Sequence, residues 1–348
     1  MNITDITIND NNAWFYAEEY SAICRMDLTT GKISAESLYN PQKKYRSRGI
    51  IYYRGKLILA PHNEGGNTIR IFDLESREYS EMIISNQYMP DKPCCNLFTE
   101  VISYQNRIFF LPGRYHAIVC IDMDTEKITY IDEWYDKINN FFAVADNGGV
   151  IFNDHFPERN PGHILLRGHR IGVVMDFCLT DHSWRIKELG INRKIMGYVD
   201  SDIGYLESFF DEEDALYLCK DSRYKKILSL WGRMVSYKDR VYIAAYNQNV
   251  LYELDVNSMD VREIYSGEKV EEGGPNFFLF KQMGSKLVAN SILDSKLIIY
   301  DMENRALRTF KLYYPEEIYF NKIRSSNVYV YENEGYTLER YLSWMCKK

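Results

Sequence analysis

The sequence predicts an all-β protein built from repeated units, and three observations support this prediction. Aromatic residues form 15% of the 348-residue chain, with 29 tyrosines, and strands favour such side chains because they pack well on a pleated, half-buried surface. Short apolar runs are bounded by Asn, Asp and Gly, which is typical of strands joined by tight turns. The third observation is an internal repeat, which decides the kind of all-β architecture.

The repeat consists of an apolar run, a polar turn, a second apolar run that ends in aspartate, another turn and a third run. It is clear five times, at Asp27, Asp73, Asp122, Asp255 and Asp301. Consecutive aspartates lie 46 or 49 residues apart where neighbouring copies are clear, and a fixed period of this size indicates a repeat architecture. A further strand and hairpin turn precede each copy, so each unit has four strands and forms one blade of a β-propeller.

Eight units are predicted within a single propeller domain over residues 1–348, and seven blades are the alternative if the fifth or last unit completes a neighbour. The fourth unit has Cys178 in place of the aspartate and a long insertion between its second and third strands, which is expected to form a partial lid over the mouth of the central channel. The last unit has three strands. The approximate unit boundaries are 4–40, 47–86, 98–134, 141–190, 193–231, 232–267, 276–314 and 317–345.

The turns between the third and fourth strands carry a resemblance to known propellers. The segments DLTTGK, DLESRE, DMDTEK, DVNSMD and DMENRA resemble the corresponding turns of bacterial YVTN- and NHL-type propellers, in which an aspartate side chain closes the turn on its own backbone. The Trp-Asp dipeptide of WD40 repeats is missing. The resemblance covers nearly the whole chain and implies the propeller fold, but it transfers no functional residue.

Charge and composition exclude several classes of function. The formal net charge is −7 and no block of Lys or Arg offsets it, so nucleic acid is not an expected partner. The sequence contains no secretory leader and no apolar run long enough for a spanning helix, so a cytoplasmic protein without membrane contact is expected. The seven cysteines form no CxxC pair, which favours reduced thiols. No P-loop, GxGxxG, GxSxG or HExxH motif is present, and no cofactor is predicted.

The predicted binding site lies on one face of the disc. Loops between the second and third strands of each blade emerge on the same face as the connections between blades, and chemical variety is concentrated there, whereas the opposite turns contain ordinary turn residues. We call this surface the B–C face. Its predicted ligand-binding residues are Arg46, Arg48, His62, Glu64, Arg114, Tyr115, His116, Tyr246, Asn247 and Asn276.

These residues predict a non-catalytic scaffold that binds a partner protein or a polar ligand such as a glycan through tyrosine stacking and charge-assisted hydrogen bonds. The alternative is a propeller lyase or hydrolase, with or without a divalent metal, in which His62 and His116 act as acid and base. A third alternative is a structural subunit, which would expose a large apolar patch outside the channel mouth.

A metal site is a weaker prediction. His155, His163 and His169 fall in the fourth-unit insertion, together with carboxylates that a metal would accept as ligands. If the segment from 163 to 169 is extended, however, the two imidazoles at its ends lie roughly 20 Å apart. We therefore expect no simple metal site there.

Overall fold

The computed structural model describes residues 3, 5–17, 22–37, 47–61, 66–90, 97–135, 152–155, 162–167, 173–188, 231–245, 249–255, 257–258, 260–268, 277–316, 318, 320, 343 and 346. These residues form four-stranded antiparallel sheets in which each strand pairs with the next along the chain. Each sheet is therefore one blade made of consecutive strands.

The first three blades cover the amino-terminal part of the chain. Blade 1 contains β1 (Ile6–Asn9), β2 (Asn12–Ala17), β3 (Ala22–Asp27) and β4 (Ile33–Ser37). Blade 2 contains β5 (Ser47–Tyr53), β6 (Lys56–Pro61), β7 (Thr68–Asp73) and β8 (Tyr79–Ile83), followed by a 3₁₀ turn at Asn86–Tyr88. Blade 3 contains β9 (Phe98–Tyr104), β10 (Arg107–Pro112), β11 (Ile118–Asp122) and β12 (Ile128–Ile131).

The other three blades follow in the same order. Blade 4 contains β13 (Phe152–His155), β14 (His163–Arg167), β15 (Val173–Cys178) and β16 (Trp184–Glu188). Blade 5 contains β17 (Trp231–Tyr237), β18 (Arg240–Ala245), β19 (Val250–Asp255) and β20 (Val261–Ser266). Blade 6 contains β21 (Phe277–Met283), β22 (Lys286–Ser291), β23 (Lys296–Asp301) and β24 (Ala306–Lys311). The first strand of each blade is innermost. The chain is a β-propeller.

The predicted blade number, eight with seven as alternative, is wrong: the described residues form six blades. The inner strand of blade 4 contacts that of blade 5 directly, and the inner strand of blade 6 contacts that of blade 1. The predicted fifth and last units therefore do not insert a blade at either place. Most of 193–231 and 317–345 lies outside the described residues, but Ile318 and Phe320 are helical rather than extended. The prediction failed because it assigned every segment of suitable length to a blade.

The fourth blade also differs from its prediction. The supposed insertion contains β14 itself, the second strand of the sheet, which pairs His163–Arg167 with both β13 and β15. The predicted lid over the channel mouth is therefore not a separate element at these residues. Sequence reasoning missed this strand because its apolar part, Ile164 to Leu166, is only three residues long.

The hydrophobic core lies between neighbouring blades. One buried cluster joins Phe109 of blade 3 to Phe177 of blade 4, and another joins Phe15 of blade 1 to Leu297 of blade 6. By contrast, the outermost strands β8 and β24 are largely exposed. Burial of apolar surface between sheets therefore holds the ring together.

The predicted role of the repeated aspartates is confirmed. Oδ1 of Asp73 accepts hydrogen bonds from the backbone N–H groups of Glu75 and Ser76, both at 3.0 Å, and the other four aspartates do the same in their own turns. Backbone hydrogen bonds to the ionised form hold the pKa of all five carboxyls below its usual range. The aspartates thus fix the tips of the blades.

Four residues after the aspartate, or after Cys178 in blade 4, the backbone is left-handed in the five blades in which that position is described. Blade 1 has Gly31 there, with φ of 74°, whereas blade 3 has Glu126 with φ of 56°. A Cβ on Gly31 would also lie 3.3 Å from Cδ1 of Phe310 in blade 6. A side chain at position 31 would therefore meet both the left-handed backbone and a neighbouring blade, which favours glycine there.

We expect Gly31→Ala to lower the free energy of unfolding by about 1 kcal/mol, because alanine pays the left-handed penalty that glycine avoids. The matched control is Glu126→Ala, which keeps a non-glycine residue at the equivalent turn position and should cost much less. Urea unfolding of both variants measures the difference. Equal losses for the two variants would contradict this explanation.

Candidate functional site

The loop between β10 and β11 contains the residues of the predicted site whose side chains are described. The backbone N–H groups of Gly113, Arg114 and Tyr115 all point at the carbonyl oxygen of Leu97, at 2.8, 3.2 and 3.1 Å. The N–H of His116 donates to the carbonyl oxygen of Tyr88 at 2.9 Å. The loop is therefore a tight turn bound to the connection that enters blade 3.

Within this loop, the side chain of Tyr115 is buried, whereas those of Arg114 and His116 are only partly buried. Tyr115 is 1% exposed, its hydroxyl donates to the carbonyl oxygen of Ser85 at 2.7 Å, and its ring packs against Phe98. The predicted stacking of a ligand on Tyr115 does not fit this burial. Arg114 is half-buried, and the half-buried ring of His116 stacks on Tyr135 with centroids 4.1 Å apart.

The remaining residues of the predicted site lie outside the described part of the chain. The backbone of Arg48 belongs to β5, but its side chain is not among those described. The pairing of His62 with His116 as acid and base therefore stays a prediction, as does the gathering of the set on one face. The site residues outside the described part are Arg46, His62, Glu64, Tyr246, Asn247 and Asn276.

The three histidines once considered for a metal have different placements. His163 begins β14 and its Nδ1 lies 2.8 Å from Oδ1 of Asp176, a buried carboxylate that also binds Arg185. His155 ends β13 with its side chain not described, and His169 lies outside the described residues. Among described side chains, no three His, Cys, Asp or Glu residues are grouped as metal ligands would be.

His182 is a histidine that the sequence analysis did not discuss. It follows β15 with φ of 64° and lies between blades 3 and 4, where its ring contacts Phe109 and Phe177. Its Nε2 is 3.5 Å from Nη1 of Arg107. Burial lowers the pKa of His182 and the neighbouring guanidinium lowers it further, although Asp181 opposes them. The imidazole is therefore a neutral part of the blade interface at pH 7.

A central funnel of about 920 Å³ opens on the opposite face of the disc, where the turns between first and second strands emerge. Its rim includes Asn9 and Asp10 from blade 1 and the turn Gly284–Ser285 from blade 6. The inner strands β1, β5, β9 and β21 form its walls. Lining residues of the funnel with charged or hydrogen-bonding side chains include Thr7, Asn9, Asp10, Glu100, Ser103, Tyr237, Lys281, Lys286 and Glu303.

Three ionisable groups meet at the base of this funnel. Nζ of Lys281 in β21 lies 2.7 Å from Oδ1 of Asp5 and 4.0 Å from Oε1 of Glu100 in β9. The Asp5 carboxylate also accepts the backbone N–H groups of Ile6 and Ile50, both at 2.8 Å. We call Asp5, Glu100 and Lys281 the charged triad.

Burial and charge act against each other within the triad. Burial raises the pKa of the Asp5 carboxyl, Lys281 opposes this shift, and Glu100 adds to it. Burial disfavours the charged amine of Lys281, but the two nearby carboxylates outweigh that effect and raise its pKa. The lysine is therefore a fixed positive charge at neutral pH, placed between two carboxylates.

Sequence reasoning found only part of the triad. The position of Glu100 close to the start of an innermost strand predicts that it lines the mouth of the channel on the B–C face, whereas the structure has it at the base of a funnel that opens on the opposite face. Asp5 and Lys281 were missed, although a lysine in the otherwise mostly apolar strand FFLFKQM is a usable signal. A charge on an innermost strand has no solvent-exposed outer face to occupy, so it must point into the channel or into another blade.

Comparison with known proteins bears on the fold alone. No protein-family model and no curated protein sequence matches the chain. Similar solved structures include the extracellular domain of the one-component system protein BT4673 from B. thetaiotaomicron, with 14% identity and a TM-score of 0.42. The alignment covers 90% of this chain but only 35% of that one. Among described residues, no helix has the length and apolar character needed to cross a membrane.

Two further structures are similar at comparable levels. YCF48 bound to the D1 peptide has 10% identity and a TM-score of 0.45, with 88% of this chain and 81% of that chain covered. A chain of the nidogen–laminin complex has 12% identity and a TM-score of 0.46, with 85% and 91% covered. No functional residue is transferred from any of these structures.

We expect the stability of the protein to fall as the pH drops below about 6.5, partly because of His182. The folded state binds this proton less readily than the unfolded chain, so acid favours unfolding. His182→Asn, which tolerates the left-handed backbone, removes this contribution. Urea unfolding at pH 7.5 and pH 5.5 measures this contribution. The free energy of unfolding should fall less between these pH values in the variant than in the wild type, and an equal fall in both would contradict the role given to His182.

Proposed function

We propose that the chain is a non-catalytic binding protein whose central funnel holds a small polar ligand. The observation that carries the proposal is the charged triad at the base of a cavity of about 920 Å³. Burying charges costs free energy, and well-packed apolar residues would fill the centre of a ring at least as stably. Charged groups kept at the base of an open cavity are typical of a site that orients a ligand.

The geometry of the rim supports the same proposal. The hydroxyl of Tyr237 in blade 5 donates to Oε1 of Glu303 in blade 6 at 2.7 Å, and Nζ of Lys238 lies 3.2 Å from the same oxygen. These contacts hold two blades together at the edge of the funnel. Because the lining side chains stand on rigid strands, a ligand loses little free energy in ordering the site.

Binding of a partner protein or a glycan on the B–C face is the second candidate. It is favoured by the hydrogen-bonded loop that contains Arg114 and by the stacked rings of His116 and Tyr135. A guanidinium and stacked rings within one fixed segment suit a polar partner with an aromatic or sugar face. This candidate and the funnel lie on opposite faces, so one experiment separates them.

We expect Ser103→Trp, which fills the funnel from β9, to weaken ligand binding at least about tenfold, because the indole occupies the ligand's volume. The control is Ser80→Trp on the exposed outer strand β8, which should bind like the wild type. Ligand-observed NMR with a pooled set of amino acids, amines and sugars identifies the ligand and measures binding.

Retention of the ligand by the Ser103→Trp variant would refute the funnel as its site. If binding then disappears in an Arg114→Ala variant, the B–C face is the binding surface. Thermal unfolding of each variant checks that the propeller remains folded.

A further inference from the structure

Among the described residues, negatively charged side chains outnumber positively charged ones around the funnel. Three carboxylates and two amines line the cavity: Asp10, Glu100 and Glu303 against Lys281 and Lys286. Lys281 is paired with Asp5, Lys286 lies opposite Asp301 in the pairing of β22 with β23, and Glu303 is paired with Lys238. With these partners included, five carboxylates stand against three amines inside and immediately behind the wall.

The neutral polar groups of the funnel strengthen this bias. Asn9 uses its amide N–H to donate to the carboxylate of Asp10 at 3.1 Å, and Tyr237 uses its hydroxyl proton on Glu303. One amide proton of Asn9 and the hydroxyl proton of Tyr237 are therefore committed within the wall, whereas the oxygens of Asn9, Tyr237 and the carboxylates keep acceptor capacity. These groups offer acceptors to a ligand that carries donors.

We infer that the ligand of the funnel is a small organic cation, a primary amine or guanidinium compound, with its positive group beside Glu100. This inference rests on the proposed function of the funnel and adds the chemical class of the ligand. Glu100 and Lys281 both line the funnel, and Nζ of Lys281 lies 2.7 Å from Asp5 but 4.0 Å from Glu100, so its positive charge is directed mainly at Asp5.

Electrostatics on the scale of the whole molecule acts in the same direction. The chain has a formal net charge of −7, and a cleft lined by one sign of charge concentrates ligands of the opposite sign at its mouth. An anionic ligand would face Asp10 and Glu303 at the rim and Glu100 at the base. The two lysines offer it little compensation, because Lys281 is paired with Asp5 and Lys286 lies opposite Asp301 in the neighbouring strand.

The test compares small primary amines with their own N-acetyl derivatives, which keep the skeleton and lose the charge. Putrescine, glucosamine and tyramine are suitable probes, each titrated beside its N-acetyl form by calorimetry. We expect at least one amine to bind about tenfold or more tightly than its neutral counterpart, because charge-assisted hydrogen bonds are stronger than neutral ones. Raising the salt concentration should weaken the amine more than the neutral form.

Two variants locate the cation. Glu100→Gln should remove most of the preference for the amine, and Asp10→Asn at the rim should reduce it by a smaller factor. The control Glu75→Gln changes an exposed carboxylate in the turn after β7 and should have no effect. Because Glu100 lies beside the buried Lys281, thermal unfolding confirms that its variant is folded, and Asp10→Asn tests the same inference without touching the triad.

Equal affinity for an amine and its N-acetyl form would overturn the inference, as would full amine preference in both Glu100→Gln and Asp10→Asn. Failure of every amine to bind at millimolar concentration would also overturn it. If a neutral compound binds and Ser103→Trp abolishes that binding, the funnel remains the site and only the ligand class is wrong. If Ser103→Trp leaves all binding intact, the proposed function itself fails.

Discussion

The ion pair between Asp5 and Lys281 is the charged contact that closes the ring, beside the apolar cluster between blades 1 and 6. Each described blade consists of consecutive strands, so the first and last blades share no sheet and must be joined by side chains. Lys281 belongs to the last blade, and Asp5 immediately precedes the first; the same carboxylate accepts the N–H of Ile50 in blade 2. A hydrogen bond from the N–H of Ile3 to Oδ1 of the buried Asn290 adds a second link between the ends of the ring.

Closure and the candidate site therefore use the same atoms. Buried charges are expensive unless they are paired and fully hydrogen-bonded, and Asp5 meets this condition with one ammonium group and two backbone N–H groups. The cost is also lower because the triad lies at the base of an open funnel rather than in a dry core. The pair that joins the blades thus supplies the fixed charges beside which a ligand would bind.

The four-stranded blades and their turns could be predicted from the sequence, whereas the number of blades in the ring could not. The turn aspartates were found because an Asp side chain acts on backbone two and three residues away, within one short segment. The number of blades depends instead on which inner strands touch, such as β13 with β17, and no local pattern encodes that contact. The burial of Tyr115 escaped prediction for a similar reason, since it arises from Leu97 and Ser85, which lie in the connection before blade 3.

A double-mutant cycle on Asp5 and Lys281 tests most directly whether this ion pair closes the ring. Lys281→Met should lower the free energy of unfolding by about 3–5 kcal/mol, because it leaves the buried Asp5 carboxylate without its ammonium partner. Asp5→Asn should cost less, because Glu100 still lies 4.0 Å from the partly buried Lys281. The double variant should lose clearly less than the sum of the two, since it leaves neither charge behind. Strictly additive losses, or single losses below about 1 kcal/mol, would contradict the account.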